Sequence, residues 1–196
     1  MDVGDLDPDP IVQFRRWYDD ALAQLPEPSA MVLATADATG APSARHVLLK
    51  GVDERGFVWF TNYESTKARE LAANPRAALV FPWFPIRRQV TVKGNVEVLD
   101  GAASDAYFAT RDRRSQIGAW ASPQSEVIPD RAWLEHRVED TERRFDGVDV
   151  PRPPHWGGYR LTPHRIELWH NQPNRLHDRF RYERGESGWT LVRLAP

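Results

Sequence analysis

The stretch Arg88-Gln89-Val90-Thr91-Val92-Lys93-Gly94-Asn95-Val96-Glu97-Val98-Leu99 alternates apolar with polar side chains. Val90, Val92, Val96 and Val98 fall on one face, and Gln89, Thr91, Lys93 and Glu97 on the other, which predicts a long antiparallel strand with one wet face. Shorter strand-like runs surround it. Met31–Ala36 and Ser43–Lys50 flank the turn residues Asp37-Ala38-Thr39-Gly40 and read as a hairpin, and Phe57–Asn62 and Ala77–Trp83 follow. Toward the C-terminus, Tyr159–Leu161, Arg165–Trp169, Arg175–Glu183 and Trp189–Leu194 are strand-like, with a stiff Pro151, Pro153, Pro154 linker ahead of them. Helices are predicted outside this set. Asp9-Pro10 opens one whose apolar residues Ile11, Phe14, Trp17, Tyr18, Ala21, Leu22 and Leu25 step by three and four. Others are expected over Ser65–Asn74, about Ala102–Arg111 and about Pro129–Phe145, with a Ser-, Gln- and Gly-rich loop between the last two. No strand–helix–strand repeat occurs, so the expected class is mainly β or α+β: a small antiparallel barrel with peripheral helices, in one domain over residues 1–196 whose first eight residues are flexible.

Composition narrows the function. The 196 residues carry a net charge of −2 and no cysteine, which excludes disulfide frameworks, thiol nucleophiles and cysteine zinc sites. No apolar run reaches the ~20 residues of a membrane helix, and the acidic start lacks the features of a signal peptide, so a cytoplasmic protein is expected. No global charge points to nucleic acid or membrane as partner. The six histidines form no close ligand pair, and neither GxGxxG after a strand nor GxxxxGK[ST] is present. The cations comprise three lysines and 23 arginines, so an anion site has to be made by local clustering.

Four clusters are candidates. Ser65-Thr66-Lys67 lies where a strand hands over to a helix, placing N–H groups, hydroxyls and an ammonium where a phosphate binds; the plain alternative is a serine cap with a surface lysine. Arg45 and Lys50 bracket an apolar stretch, but five residues apart they point to opposite faces of a regular strand, so sharing one ligand requires a bulge or two subunits. Arg175, His177 and Arg179, spaced by two, are expected on one face of a strand, a face suited to phosphate or an electron-rich ring, or else a charged solvated edge. Tyr107 and Arg111, four apart on a helix, with Ser115 beyond, suit a phosphate monoester, although a plain surface helix reads the same. Trp83, Trp120, Trp156 and Trp169 are candidates for an aromatic wall or for core.

In order along the chain, RHVLLK, FTN with STKA, FPW with RRQV, SQIGAW with SPQS, WGGYR, IELW, RLHDRF and a terminal RLAP resemble the pyridoxamine 5'-phosphate oxidase family from about Asp9 to Pro196. The resemblance implies a split β-barrel and a homodimer with FMN in clefts at the subunit interface. It implies FMN contacts at Arg45, Lys50, Phe60, Thr61, Thr66, Lys67, Gln89, Gln124, Ser125, Trp169 and Arg179. The substrate phosphate falls to Lys50, Tyr107, Arg111 and Ser115, and the pyridine ring to Arg175 and His177, the two residues implied to act in catalysis. The implied reaction takes a hydride equivalent from pyridoxamine or pyridoxine 5'-phosphate and passes it through the flavin to oxygen, giving pyridoxal 5'-phosphate and hydrogen peroxide. Two departures stand out. Thr66 occupies a position where many relatives carry a second basic residue, and only eight residues precede Asp9, so the N-terminal Arg and Tyr that close over the substrate in some relatives are expected to be missing. A phenazine-biosynthesis type flavin oxidase and a non-catalytic FMN- or pyridoxal phosphate-binding protein are the alternatives.

Overall fold

A computed structural model describes all 196 residues. Helix α1 (Pro10–Gln24) starts where the Asp9 carboxylate accepts the backbone N–H of Ile11 at 2.7 Å, with proline in the first turn. It buries Ile11, Phe14, Trp17 and Ala21, while Leu22, at the flank of the stripe, is 54% exposed. Strands β1 (Ala30–Ala36) and β2 (Pro42–Leu48) form the expected hairpin, in register from Ala30↔Leu48 to Ala36↔Pro42. The Asp37 carboxylate holds its turn by accepting the N–H groups of Thr39 and Ala41. β2 stops at Leu48 rather than Lys50. The chain breaks step over residues 49–50 and resumes as a short strand, β3 (Gly51–Asp53), that the sequence did not announce. β3 pairs with β4 (Gly56–Asn62) through a turn in which Gly56 has φ +136° and its Cα lies so close to Leu161 that a Cβ would meet that carbonyl oxygen.

After α2 (Thr66–Ala73) come β5 (Arg76–Phe81) and β6 (Arg88–Val98). β6 alternates as expected over Val90, Val92 and Val96, but Val98, at the strand end, is exposed. The region expected as two strands is one, β7 (Trp156–His170). The gap between the two expected strands is taken up by a register shift at Lys93/Gly94, where Lys93 pairs with Arg165 and Gly94 with Pro163. Between β6 and β7 lie α3 (Gly101–Ala109), α4 (Arg113–Ala121) and α5 (Arg131–Arg144). α4 replaces the expected loop, and its start is fixed by Asp112, which accepts the N–H of Ser115 at 2.9 Å. β8 (Asp178–Gly185) and β9 (Gly188–Leu194) end the chain.

The nine strands make one antiparallel sheet in the order β2-β1-β5-β6-β7-β4-β3, with β8 and β9 branching from the far end of β7. β2 curls back against β4, giving the half-barrel expected of a split barrel. α1 closes its interior: the Phe14 ring lies 4.8 Å from Phe57, 5.0 Å from Phe81 and 5.8 Å from Trp83. A smaller apolar cluster of Phe108, Ile117, Phe145, Val150 and Trp156 seats α3 to α5. Where a flexible lead was expected, residues 3–5 form a 3-10 turn, Leu6 is buried, and the Tyr182 hydroxyl donates to the carbonyl of Asp7 at 2.6 Å. No helix is long and apolar enough to cross a membrane.

Because Phe14 is fully buried among aromatic rings from β4, β5 and the segment that follows β5, Phe14→Ala leaves a cavity at the centre of the barrel. A loss of about 3–5 kcal/mol is expected in urea denaturation, and a loss below about 1 kcal/mol would contradict this packing.

Candidate functional site

β2, β4, the start of α2, the end of α3 and the segment after α4 border a cleft of about 520 Å³. Arg45, Lys50, Phe60, Thr61, Thr66, Lys67, Tyr107, Arg111, Gln124 and Ser125, all anticipated from sequence, line it together with His46, Val47, Leu48 and Trp156. The lining contains four cations and no carboxylate, in a protein whose overall charge is −2. The parity conflict between Arg45 and Lys50 is resolved within one chain. β2 ends at Leu48, and the step over Leu49 and Lys50 brings both cations to the same cleft.

Lys67 separates the two readings of Ser65-Thr66-Lys67. It is buried, and the Ser65 hydroxyl makes no cap; it donates to the carbonyl of Asn62 at 2.7 Å. The Lys67 ammonium donates to Thr61 Oγ1 at 3.1 Å, Ser65 Oγ at 3.1 Å and Gln124 Oε1 at 2.7 Å, all neutral acceptors. Burial first, and the nearby Arg45 charge second, push its pKa down from 10.5 to about 8. The charge of Glu70, one turn along the helix, offsets this only in part, so the ammonium is satisfied as a donor but not as a charge, and a bound anion would correct that.

An aromatic wall adjoins these cations. The Phe60 and Tyr107 rings stack at 3.9 Å, and Trp156 lies parallel to Phe60 at 5.5 Å. Arg111 lies over Trp156 at 4.7 Å, and its Nη1 is buried with no hydrogen-bond partner. Burial lowers its pKa, since taking a guanidinium out of water disfavours its charged form. Ser115, in α4, reaches a hollow of about 230 Å³ beside the cleft, which shares Arg111, Gln124 and Trp156 with it. Ser125 takes φ +75°, a conformation that non-glycine residues adopt only at a cost of about 1 kcal/mol or more.

Five anticipated residues lie elsewhere. Gln89 pairs with Trp169 across β6 and β7, and Trp169 pairs with Arg179 across β7 and β8; with Arg175 and His177 these form a second cluster that lines neither hollow. The expected strand face of Arg175, His177 and Arg179 is not formed. β8 begins only at Asp178, because Asn174 and Arg175 both adopt left-handed backbone angles in a 3-10 turn over Pro173–Arg175. Arg179 remains on the strand, paired with Glu167 at 2.7 Å. The His177 ring packs against Trp169 at 4.7 Å, and its Nδ1 accepts the backbone N–H of Gln172 at 3.2 Å. In the neutral ring the proton therefore sits on Nε2, which becomes a donor. Sequence reasoning missed Glu70, which lies behind Arg45 at 3.2 Å.

The residues present fit a flavin mononucleotide. Arg45 and Lys67, with Thr61, Thr66 and Ser125 nearby, match a phosphate, and the unpartnered Arg111 leaves room for a second anionic group on the same wall.

Comparison with known proteins gives the family. Residues 19–145 match the pyridoxamine 5'-phosphate oxidase family, and residues 156–196 match the pyridoxine 5'-phosphate oxidase C-terminal dimerisation region. The pyridoxine/pyridoxamine 5'-phosphate oxidase of Burkholderia thailandensis is 58% identical over 200 residues, covering 100% of this chain and 93% of the relative. That of Ralstonia pickettii is 57% identical over 198 residues with the same coverage. Among solved structures, PhzG from Burkholderia lata, in complex with tetrahydrophenazine-1-carboxylic acid, superposes with a TM-score of 0.91 at 34% identity, covering 97% of this chain and 94% of the other. An FMN-binding protein from Nostoc punctiforme shares the fold at a TM-score of 0.76 and 17% identity, over 96% of this chain and 98% of its own. The chain thus belongs to the pyridoxamine 5'-phosphate oxidase family.

Proposed function

We propose that the protein is an FMN-dependent oxidase converting pyridoxamine 5'-phosphate or pyridoxine 5'-phosphate to pyridoxal 5'-phosphate, with oxygen as electron acceptor and hydrogen peroxide as product. The observation that carries this reading is the carboxylate-free cleft with four cations, of which Lys67 is buried on neutral acceptors and half-buried Arg111 keeps Nη1 without a hydrogen-bond partner. It calls for two anionic groups, as a flavin phosphate beside a phosphorylated substrate provides. Bound FMN would supply the two-electron acceptor.

The chain's own residues bind and orient. Arg45 and Lys67 hold the cofactor phosphate, with Gln124 fixed by Lys67 at the cleft edge. Lys50, Tyr107, Arg111 and Ser115 hold the substrate phosphate. Arg175 positions the pyridine ring, and His177 donates from Nε2 to the hydroxyl oxygen carried on that ring, since its Nδ1 is engaged by Gln172. The second cluster does not line the cleft of its own chain, so its residues serve the cleft of a second copy. This reading fits the match to a dimerisation region and makes the active unit a homodimer. The likeness to PhzG favours, as a second reading, an oxidase of a tricyclic carboxylic acid; the identities of 57–58% with pyridoxine/pyridoxamine 5'-phosphate oxidases favour the first.

The purified protein is expected to show a flavin spectrum and to release peroxide with pyridoxamine or pyridoxine 5'-phosphate, faster than with a reduced phenazine carboxylic acid. Bound FMN with no turnover of either vitamer phosphate would overturn the assignment. Arg175→Ala should lower kcat about 100-fold through lost positioning while FMN affinity changes less than about twofold; equal losses in both would misplace this residue.

Lys67 also gives a pH signature. Its folded pKa of about 8 lies below the ordinary 10.5, and a bound phosphate raises it again, so binding takes up a proton between those values. FMN affinity should therefore fall as pH rises above about 8, approaching about tenfold per pH unit. Lys67→Met should flatten that dependence, separating this amine from Lys50 and Tyr107 in the same cleft. Titration of FMN fluorescence quenching from pH 7 to pH 10 checks it, and an unchanged slope in the variant would refute it.

A further inference from the structure

We propose that Glu70 is a positioning residue of the anion site, which locks the Arg45 guanidinium so that one donor, Nε–H, is left for the ligand. The proposal rests on reading the cleft as the flavin phosphate site. Glu70 sits in α2, one turn beyond Thr66 and Lys67, and does not line the cleft. Its carboxylate accepts the hydroxyl of Thr35 from β1, the hydroxyl of Ser43 from β2 at 2.7 Å, and Nη2 of Arg45 at 3.2 Å. Thr35 and Ser43 face each other across the β1–β2 ladder, and Ser43 and Arg45 lie two apart on one face of β2.

The hydrogen bonds have a direction. Each hydroxyl has one proton, and both protons point at Glu70, so the lone pairs of Thr35 and Ser43 are turned toward Arg45. Arg45 uses them: Nη1 donates to Thr35 Oγ1 and to the Leu33 carbonyl at 3.2 Å, and Nη2 donates to Ser43 Oγ and to Glu70. All four Nη hydrogens are thereby spent inside the chain. Nε–H is the one guanidinium donor without a protein partner, on a residue that lines the cleft. Burial alone would raise the Glu70 carboxyl, but the Thr35 and Ser43 hydrogen bonds and the Arg45 charge outweigh it and hold it ionised below the usual carboxylate range.

Positioning and simple charge predict opposite signs. Removing a carboxylate next to a cationic cleft should tighten an anion if charge alone matters, whereas loosening Arg45 should weaken it. We expect Glu70→Ala to weaken FMN binding about tenfold, with kcat at saturating FMN falling far less, and Glu70→Gln, which keeps the shape and one acceptor oxygen, to recover part of the loss. Affinity equal to or tighter than wild type in both variants would overturn the proposal. The Arg45 Nε–H resonance of the FMN-free protein gives a readout independent of the cofactor: a resolved, slowly exchanging signal in the wild type that averages out in Glu70→Ala. If the wild type takes up no FMN yet this signal behaves as expected, the flavin reading fails and the positioning stands. If FMN binds and the signal survives Glu70→Ala, the positioning fails alone.

Discussion

An ammonium taken out of water with only neutral groups to accept its hydrogen bonds costs several kcal/mol unless something anionic arrives, and Lys67 is held in that state by structure from both halves of the chain. Thr61 comes from β4, Ser65 from the hand-over to α2, and Gln124 from the segment after α4, so one amine ties the barrel to the helical layer. Burial pushes its pKa down to about 8, the direction in which losing water around a charge acts. The cleft is therefore built for a ligand's charge, and the fold around it carries part of the cost in advance, which is how a preorganised anion site differs from a basic surface patch.

Arg45, Lys50 and Arg111 extend the same logic with different means. Arg45 is fixed through a carboxylate and two hydroxyls behind it, Lys50 is brought in by the break in β2, and Arg111 is laid on the indole of Trp156. The wall of Phe60, Tyr107 and Trp156 gives this cationic floor an apolar side against which a planar ring can lie. The second cluster of Trp169, Arg175, His177 and Arg179 does not line its own cleft, so a second copy of the chain completes the site in our reading.

Much of this was legible in sequence where the signal is local. The alternation of residues 88–98, the Asp9 cap and the Ser65-Thr66-Lys67 hand-over each state their structure within a few residues. The conflict between Arg45 and Lys50 was legible as a conflict, while its solution, a step at Leu49, depends on how β3 pairs with β4. The RLHDRF run was misread because two consecutive left-handed residues, Asn174 and Arg175, delay the strand, and an arginine gives no warning of that conformation. Ser115, Gln116 and Gly118 disguised α4 as a loop although Asp112 announced its cap. Glu70 was invisible because its partners lie 25 to 35 positions away on two strands.

The claim that two incomplete half-sites join across a dimer is tested most directly by mixing two inactive variants. Lys67→Ala damages the cleft and Arg175→Ala the opposite cluster, so each homodimer lacks a working site. Dissociated and reassembled together at equal amounts, they form mixed dimers with one intact site, and recovery of about a quarter of wild-type turnover is predicted from the two-fold symmetry. No recovery above the separate variants, with mixed dimers confirmed to form, would show that each chain builds its site alone.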